Sequence, residues 1–194
     1  KVYILNDTRE DKKLTVSVKI ATLDGKVLYE NKNTCDLVKT VVANSRVLFE
    51  TGNIGGNKRD MFMSVKLFED GKVISERTKI FVPDRDLKLK ANTIEKSVSY
   101  ENGEIVVKMK SPVFCRSVMV DIEDFREPFS DNYFDLLPNE EKVVTVKANK
   151  MYDVTVKSLA DIPVKGSKLK TALFRTKFFV EPENLANWFY YTMN

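Results

Sequence analysis

The sequence contains no histidine in its 194 residues, so acid–base chemistry falls to closely spaced carboxylates. Three pairs qualify: Asp131 with Asp135, Glu140 with Glu141, and Asp121 with Asp124. Two carboxylates flanking a scissile bond are the machinery of glycoside hydrolysis, provided one is buried enough to stay protonated as the acid. All three pairs sit in polar segments expected to be exposed turns, where nothing would hold a general acid protonated. None is therefore assigned a catalytic role. Asp131, Asn132 and Asp135 also gather the oxygens that hard cations take, but their spacing does not match an EF-hand loop. They are expected to accept hydrogen bonds from nearby backbone N–H groups in a turn. No metal site and no cofactor is assigned.

The lack of histidine also removes the usual Ser-His-Asp and Cys-His arrangements and most zinc sites. The glycine run from Gly52 to Gly56 lacks the Lys-Ser/Thr that completes a phosphate-binding loop, and reads as a connection between strands. Cys35 and Cys115 are too few for a disulfide framework and fall in different halves of the chain. Both are expected as thiols, with Cys115 buried among the apolar residues of a strand. The remaining chemically suggestive group is aromatic. Trp188, Phe189, Tyr190 and Tyr191 are consecutive and cannot all face one core. Trp188, Tyr190 and Tyr191 are therefore expected to contact a neighbouring domain or to stack on the C–H faces of a sugar.

The elements that would position these residues are strands. Leu14, Val16, Val18 and Ile20 alternate with Thr15, Ser17, Lys19 and Ala21, the period that places apolar side chains on one face. The Asp24-Gly25 dipeptide turns this run into a return strand carrying Val27 and Tyr29. Met61, Met63, Val65 and Leu67 repeat the pattern up to Asp70-Gly71, and Val73 follows. Two short apolar segments lie within residues 38–49. In the second half, a strand over residues 93–100 meets Asn102-Gly103, the strongest hairpin signal present, and returns through Ile105, Val107 and Met109. Further strands are expected over residues 113–122, 129–137, 143–146, 151–156 and 171–180. Pro182 could open a short C-terminal helix carrying Leu185, Trp188 and Phe189.

Residues 81–87 interrupt the alternation, since Pro83 cannot donate to a ladder and Asp84, Arg85 and Asp86 are hydrophilic. Placing the boundary there gives domains of residues 1–84 and 85–194, each near the ~100 residues of an immunoglobulin-type sandwich. The fold class expected is all-β: two tandem immunoglobulin-like antiparallel sandwiches. Alternating helices and strands, as a TIM barrel requires, are absent.

Charge and hydropathy narrow the partners. Thirty-two basic and 28 acidic residues leave a net charge of only +4, and the lysines alternate with apolar residues, as in Lys108, Met109 and Lys110. That is the solvated face of a sheet, not the basic stripe of a nucleic-acid binder. No run of about 18 apolar residues could span a bilayer. Lys1 instead of Met heads the sequence, which reads as a mature chain or an excised piece.

One run is specific: Phe129, Ser130, Asp131, Asn132, Tyr133, Phe134, Asp135, Leu136, Leu137, Pro138, Asn139 and Glu140. It resembles the C-terminal domain of the β-mannosidases of glycoside hydrolase family 2, where an aromatic-Ser-Asp-Asn-aromatic-Phe-Asp-Leu-Leu-Pro-Gly-Glu run precedes a strand. Asn139 stands where Gly is common, and both residues tolerate the turn. Residues 113–121, before the run, and the opening segment with its Asp-Gly hairpin resemble that family more loosely. The resemblance implies a C-terminal piece of a larger enzyme whose catalytic TIM barrel lies outside this sequence and hydrolyses terminal β-mannosides with retention. This chain's partners would be that barrel and β-mannoside glycans, and an extracytoplasmic setting would suit such a parent. Exo-acting glucosaminidases share similar tails. If the run is extended, Phe134 and Leu136 anchor the core, while Tyr133, Asp131 and Asp135 face outward. Accessory support of a glycosidase is the leading reading. An autonomous carbohydrate-binding module and a fibronectin-like surface module are the competitors.

Overall fold

The computed structural model describes residues 2–6, 10–37, 45–49 and 54–162. The strand expected over residues 171–180, the helix after Pro182, the aromatic contacts Trp188, Tyr190 and Tyr191, Gly52, and residues 38–44 lie outside them. Twelve strands are described: β1 (Val2–Leu5), β2 (Lys12–Thr22), β3 (Val27–Leu37), β4 (Ser45–Phe49), β5 (Met61–Glu69), β6 (Lys72–Ile80), β7 (Glu95–Glu101), β8 (Glu104–Lys110), β9 (Cys115–Asp121), β10 (Phe134–Leu136), β11 (Glu141–Lys147) and β12 (Thr155–Lys157). Three single turns of 3-10 helix complete the regular elements. The chain through Asp161 forms one compact unit.

The first sandwich sets a four-stranded antiparallel sheet, in the order β3-β2-β5-β6, against the pair β1-β4. Strand β2 is central because its alternation buries Leu14, Val16, Val18 and Ile20. Ile4 from β1 and Cys35 and Leu37 from β3 close on the first three of these. Each such side chain contributes about 1.5–3 kcal/mol. The Asp70-Gly71 turn has φ of 49° and 78°, the positive pair of a type I′ hairpin that matches the right-handed twist of β5 and β6.

Alternation along β5 holds only in part. Met63, Val65 and Leu67 are half-buried against the first core, but Phe62 and Ser64, on the face expected to meet solvent, are buried too. Ala21, expected outward on β2, is likewise buried. The reason is tertiary: the second sandwich covers this face, and no local period can announce that.

The second sandwich stacks the sheet β11-β8-β7 on the sheet β10-β9-β12. Ile105, Val107 and Met109 from β8, with Val144 from β11, pack against Val118, Val120 and Leu136 of the other sheet in a single core that also holds Val154. Lys108 and Lys110 point to solvent, as their alternation with Met109 requires. Asn102-Gly103 adopts φ of 53° and 81°, again a type I′ turn. Cys115 is buried in this core and its thiol donates to the Val113 carbonyl. Cys35 is buried in the other sandwich, donating to the Leu14 carbonyl.

Candidate functional site: a lock between the sandwiches

Residues 129–137 do not form the extended strand expected of them. Only Phe134–Leu136 is β-structure, because Tyr133 sits at φ 57°, a left-handed conformation costly for a bulky residue. Asn132 holds it there. Its Oδ1 accepts from the N–H of Tyr133 (2.9 Å) and of Val120 (2.9 Å), while its Nδ2 donates to the Val120 carbonyl (2.8 Å). The side-chain amide thus pairs with both polar groups of one residue in β9, as a neighbouring strand's backbone would. Upstream, Ser130 N–H donates to the Thr145 carbonyl (2.8 Å) and its hydroxyl accepts from Thr145 N–H (2.9 Å), pinning the run to β11 as well.

The outward and inward sets change accordingly. Tyr133 does face solvent, at 68% exposure, and Leu136 is a core residue. Phe129 packs partly against the core instead of facing out, and Phe134 is only partly buried, with Lys142 Nζ 5.0 Å from its ring centre. Asp135 is turned inward, its side chain 10% exposed, which corrects its placement among exposed acids. Its burial is offset by donors: Arg116 Nη1 at 2.6 Å and Ser117 N–H at 3.0 Å. Asp131 accepts from the Asn132 N–H and pairs with Lys142. These oxygens are engaged within the protein, and among the described residues no group of three or more acids or cysteines could hold a metal ion.

Arg116 extends the run toward the first sandwich. Its Nε donates to Asp84 Oδ1 at 3.0 Å, so a single guanidinium joins residues 129–140 to the segment that connects the two halves. Burial lowers its pKa, but the charges of Asp135 and Asp84 and their hydrogen bonds outweigh that and raise it. On the other side of the connector, Arg59 Nε donates to the Asp86 carbonyl (2.8 Å) and Lys88 N–H to the Arg59 carbonyl (2.9 Å). The expected linker is therefore fastened to both sandwiches.

Behind these polar ties lies an apolar contact. Phe62 from β5 stacks on Phe114, which precedes β9, with ring centres 4.7 Å apart and planes 18° from parallel. Ala21, Leu23 and Leu137 complete the cluster. Phe114 N–H donates to the Leu23 carbonyl at 2.7 Å, joining the backbones of the two halves directly. Lys66 Nζ meets Glu140, the last residue of the run, at 2.6 Å and Glu76 at 3.5 Å. Desolvation pushes the Lys66 pKa down, but the Glu140 hydrogen bond and the two carboxylate charges more than compensate, leaving it raised. An ion pair this exposed contributes under about 1 kcal/mol, so the apolar contact dominates.

The tip of the first hairpin fits under the turn that ends the run. Asn139 takes φ 62°, and Glu140 N–H closes the turn on the Leu137 carbonyl at 3.2 Å. Gly25, at φ 90°, lies below it: a Cβ there would stand 3.0 Å from Pro138 Cβ. Gly25→Ala is expected to lower stability by about 1–3 kcal/mol, from both backbone strain and this contact. Chemical denaturation of the two single variants and the double variant separates the causes. Part of the cost should vanish in a Pro138→Gly background, which removes that Cβ; an identical cost in both backgrounds would show that the close approach is irrelevant.

Sequence reasoning found residues 129–140 but missed what they hold. Arg116 is a lone charge within an otherwise apolar stretch, a signal that could have marked it. Phe114 carried no local signal and Gly25 signalled only its own turn, since their partners lie far away in sequence. Of the other acids, Asp121, Asp124 and Glu141 are exposed.

Comparison with known proteins places this arrangement. Residues 1–86 match the model of the mannosidase Ig/CBM-like domain and residues 89–162 that of an Ig-fold domain of mannosidases. No curated protein matches the sequence. Among solved structures, a β-D-mannosidase from Dictyoglomus thermophilum aligns with TM-score 0.66 and 19% identity, covering 81% of this chain and 20% of that one. The exo-chitosanase CsxA of Amycolatopsis orientalis aligns with TM-score 0.57 and 15% identity, covering 82% and 24%. At these identities the likeness is one of fold, and this chain spans a quarter or less of either protein. Through both of its sandwiches, the chain belongs to the immunoglobulin-like domains of β-mannosidase-type glycoside hydrolases of family 2.

Proposed function

We propose that this chain is the non-catalytic accessory region of a β-mannosidase-like glycoside hydrolase, packing against the parent's catalytic barrel and supporting it. In this reading the parent hydrolyses terminal β-mannosides with retention, using carboxylates that the barrel carries. The two domains meet at residues 84 and 85, and Trp188, Tyr190 and Tyr191 contact the barrel or its glycan. The observation that carries the reading is the use made of residues 129–140. Asp135, Leu137, Pro138 and Glu140 fasten the two sandwiches together, which suits a pre-assembled support and leaves no carboxylate pair across an open cleft at that run. The similarity to proteins about three to four times as long agrees with it. The purified chain is expected to show no turnover of an aryl β-mannoside, whereas the chain extended upstream to include a barrel hydrolyses it. Turnover that co-purifies with the isolated chain would overturn the proposal.

A further inference from the structure

The second sandwich carries a groove at the end away from the lock. The lock uses residues that precede β9 and β11, whereas the groove is built from residues that follow those strands and from the turn that opens β8. It is an open groove of about 590 Å³, a size typical of ligand sites. One wall is the aromatic pair Phe125 and Tyr152, ring centres 4.9 Å apart and tilted by 56°. The rim is polar, with Glu104, Glu127, Lys147 and Asn149 among its groups.

Two bonds preform this site. Ala148 N–H donates to the Gly103 carbonyl at 2.9 Å, tying the two rims together. The Tyr152 hydroxyl donates to Asn149 Oδ1 at 3.0 Å, fixing the ring and the amide relative to each other. Glu104 and Glu127 line the groove with a single lysine, Lys147, while Lys150 Nζ lies 5.2 Å from the Tyr152 ring centre, so no excess of positive charge surrounds it. The groove therefore has no positive field with which to select an anion. It is also too polar for an apolar ligand, since desolvating its acids and amides without hydrogen bonds would be costly.

A neutral ligand with many hydroxyls and an apolar face satisfies these conditions together. Hydroxyls both donate and accept, matching carboxylate, amide and ammonium, while C–H faces lie against aromatic rings. We infer that this groove binds a neutral saccharide chain. The inference is independent of the accessory role, because it requires no catalytic domain.

The test is titration of the full chain with β-1,4-mannohexaose and cellohexaose, followed through backbone amide shifts. A heparin hexasaccharide serves as the charged comparison. Saturable shifts at Gly103, Phe125, Ala148 and Tyr152 with at least one neutral probe are expected, and none with the charged one. Tyr152→Ala should weaken binding about tenfold, as loss of an aromatic contact does. Because Tyr152 also packs on the core, Asn149→Ala provides a rim variant that keeps the fold, with binding weakened roughly threefold by loss of one neutral hydrogen bond. The absence of saturable shifts with both neutral probes overturns the inference. So do shifts confined to other residues, preference for the charged probe, or unchanged affinity in Asn149→Ala.

Discussion

Replacing Phe114 with alanine is expected to uncouple the two sandwiches as well as weaken them. The side chain is 1% exposed and stacked on Phe62. Removing a buried Phe costs about 3–5 kcal/mol, of which the ring-on-ring geometry accounts for about 0.5–1.5 kcal/mol. Set against a total stability of about 5–15 kcal/mol for a folded protein, this loss is large. Its location decides its form. Phe114 is grouped with neither main core but with the cluster of Ala21, Leu23, Phe62 and Leu137 that both halves share. In differential scanning calorimetry the parent chain should melt in one transition, because each sandwich covers apolar surface of the other. Phe114→Ala should melt in two transitions, with the first lowered by roughly 10 °C. Val144→Ala, at a fully buried position in the second core, should lower stability while keeping a single transition. A single unshifted transition in Phe114→Ala would show that the stacked rings are not what joins the halves.

The same distinction between core and lock explains how much was legible in the sequence. Strand β2 could be read because Leu14, Val16, Val18 and Ile20 bury one face against one core, and period-two patterning reports just that. The Asp70-Gly71 and Asn102-Gly103 turns could be read because positive φ restricts residue type strongly. Phe62 and Ala21 were misplaced because their burial comes from the second sandwich, whose approach leaves no trace in β2 or β5. Residues 129–140 stood out as a specific run, but their extended reading failed. A single left-handed residue, Tyr133, ends the alternation, and Asn132 pairs with the backbone of Val120 beside it. Asp135 then points toward Arg116 instead of water, and an acid first weighed for catalysis becomes a structural tie.

Asn132 makes the sharpest test of that corner. It satisfies both the N–H and the carbonyl of Val120, a residue 1% exposed, and also the N–H of Tyr133. Leaving a buried polar group unpaired costs about 1–3 kcal/mol. Asn132→Ala strands two such groups on Val120, so a loss of about 2–6 kcal/mol, reduced by any strain relieved at Tyr133, is expected in urea denaturation. Asn132→Asp isolates one bond within this set. An aspartate at this position still accepts from Val120 N–H and Tyr133 N–H, but its ionised carboxylate cannot donate to the Val120 carbonyl and repels it. The two accepted N–H bonds favour the charged form and repulsion by the carbonyl disfavours it; the expected result is that repulsion wins and raises that carboxyl's pKa above its unfolded value near 3.9. The sign follows from linkage: the penalty is full above the raised folded pKa and shrinks as pH falls through it, because the protonated acid donates where the amide did. The gap in stability between Asn132→Asp and the native chain should be widest at neutral pH and narrow toward pH ~4. If the gap is constant with pH while Asn132→Ala is costly, the essential bonds are the two that Oδ1 accepts, and donation to the Val120 carbonyl contributes little.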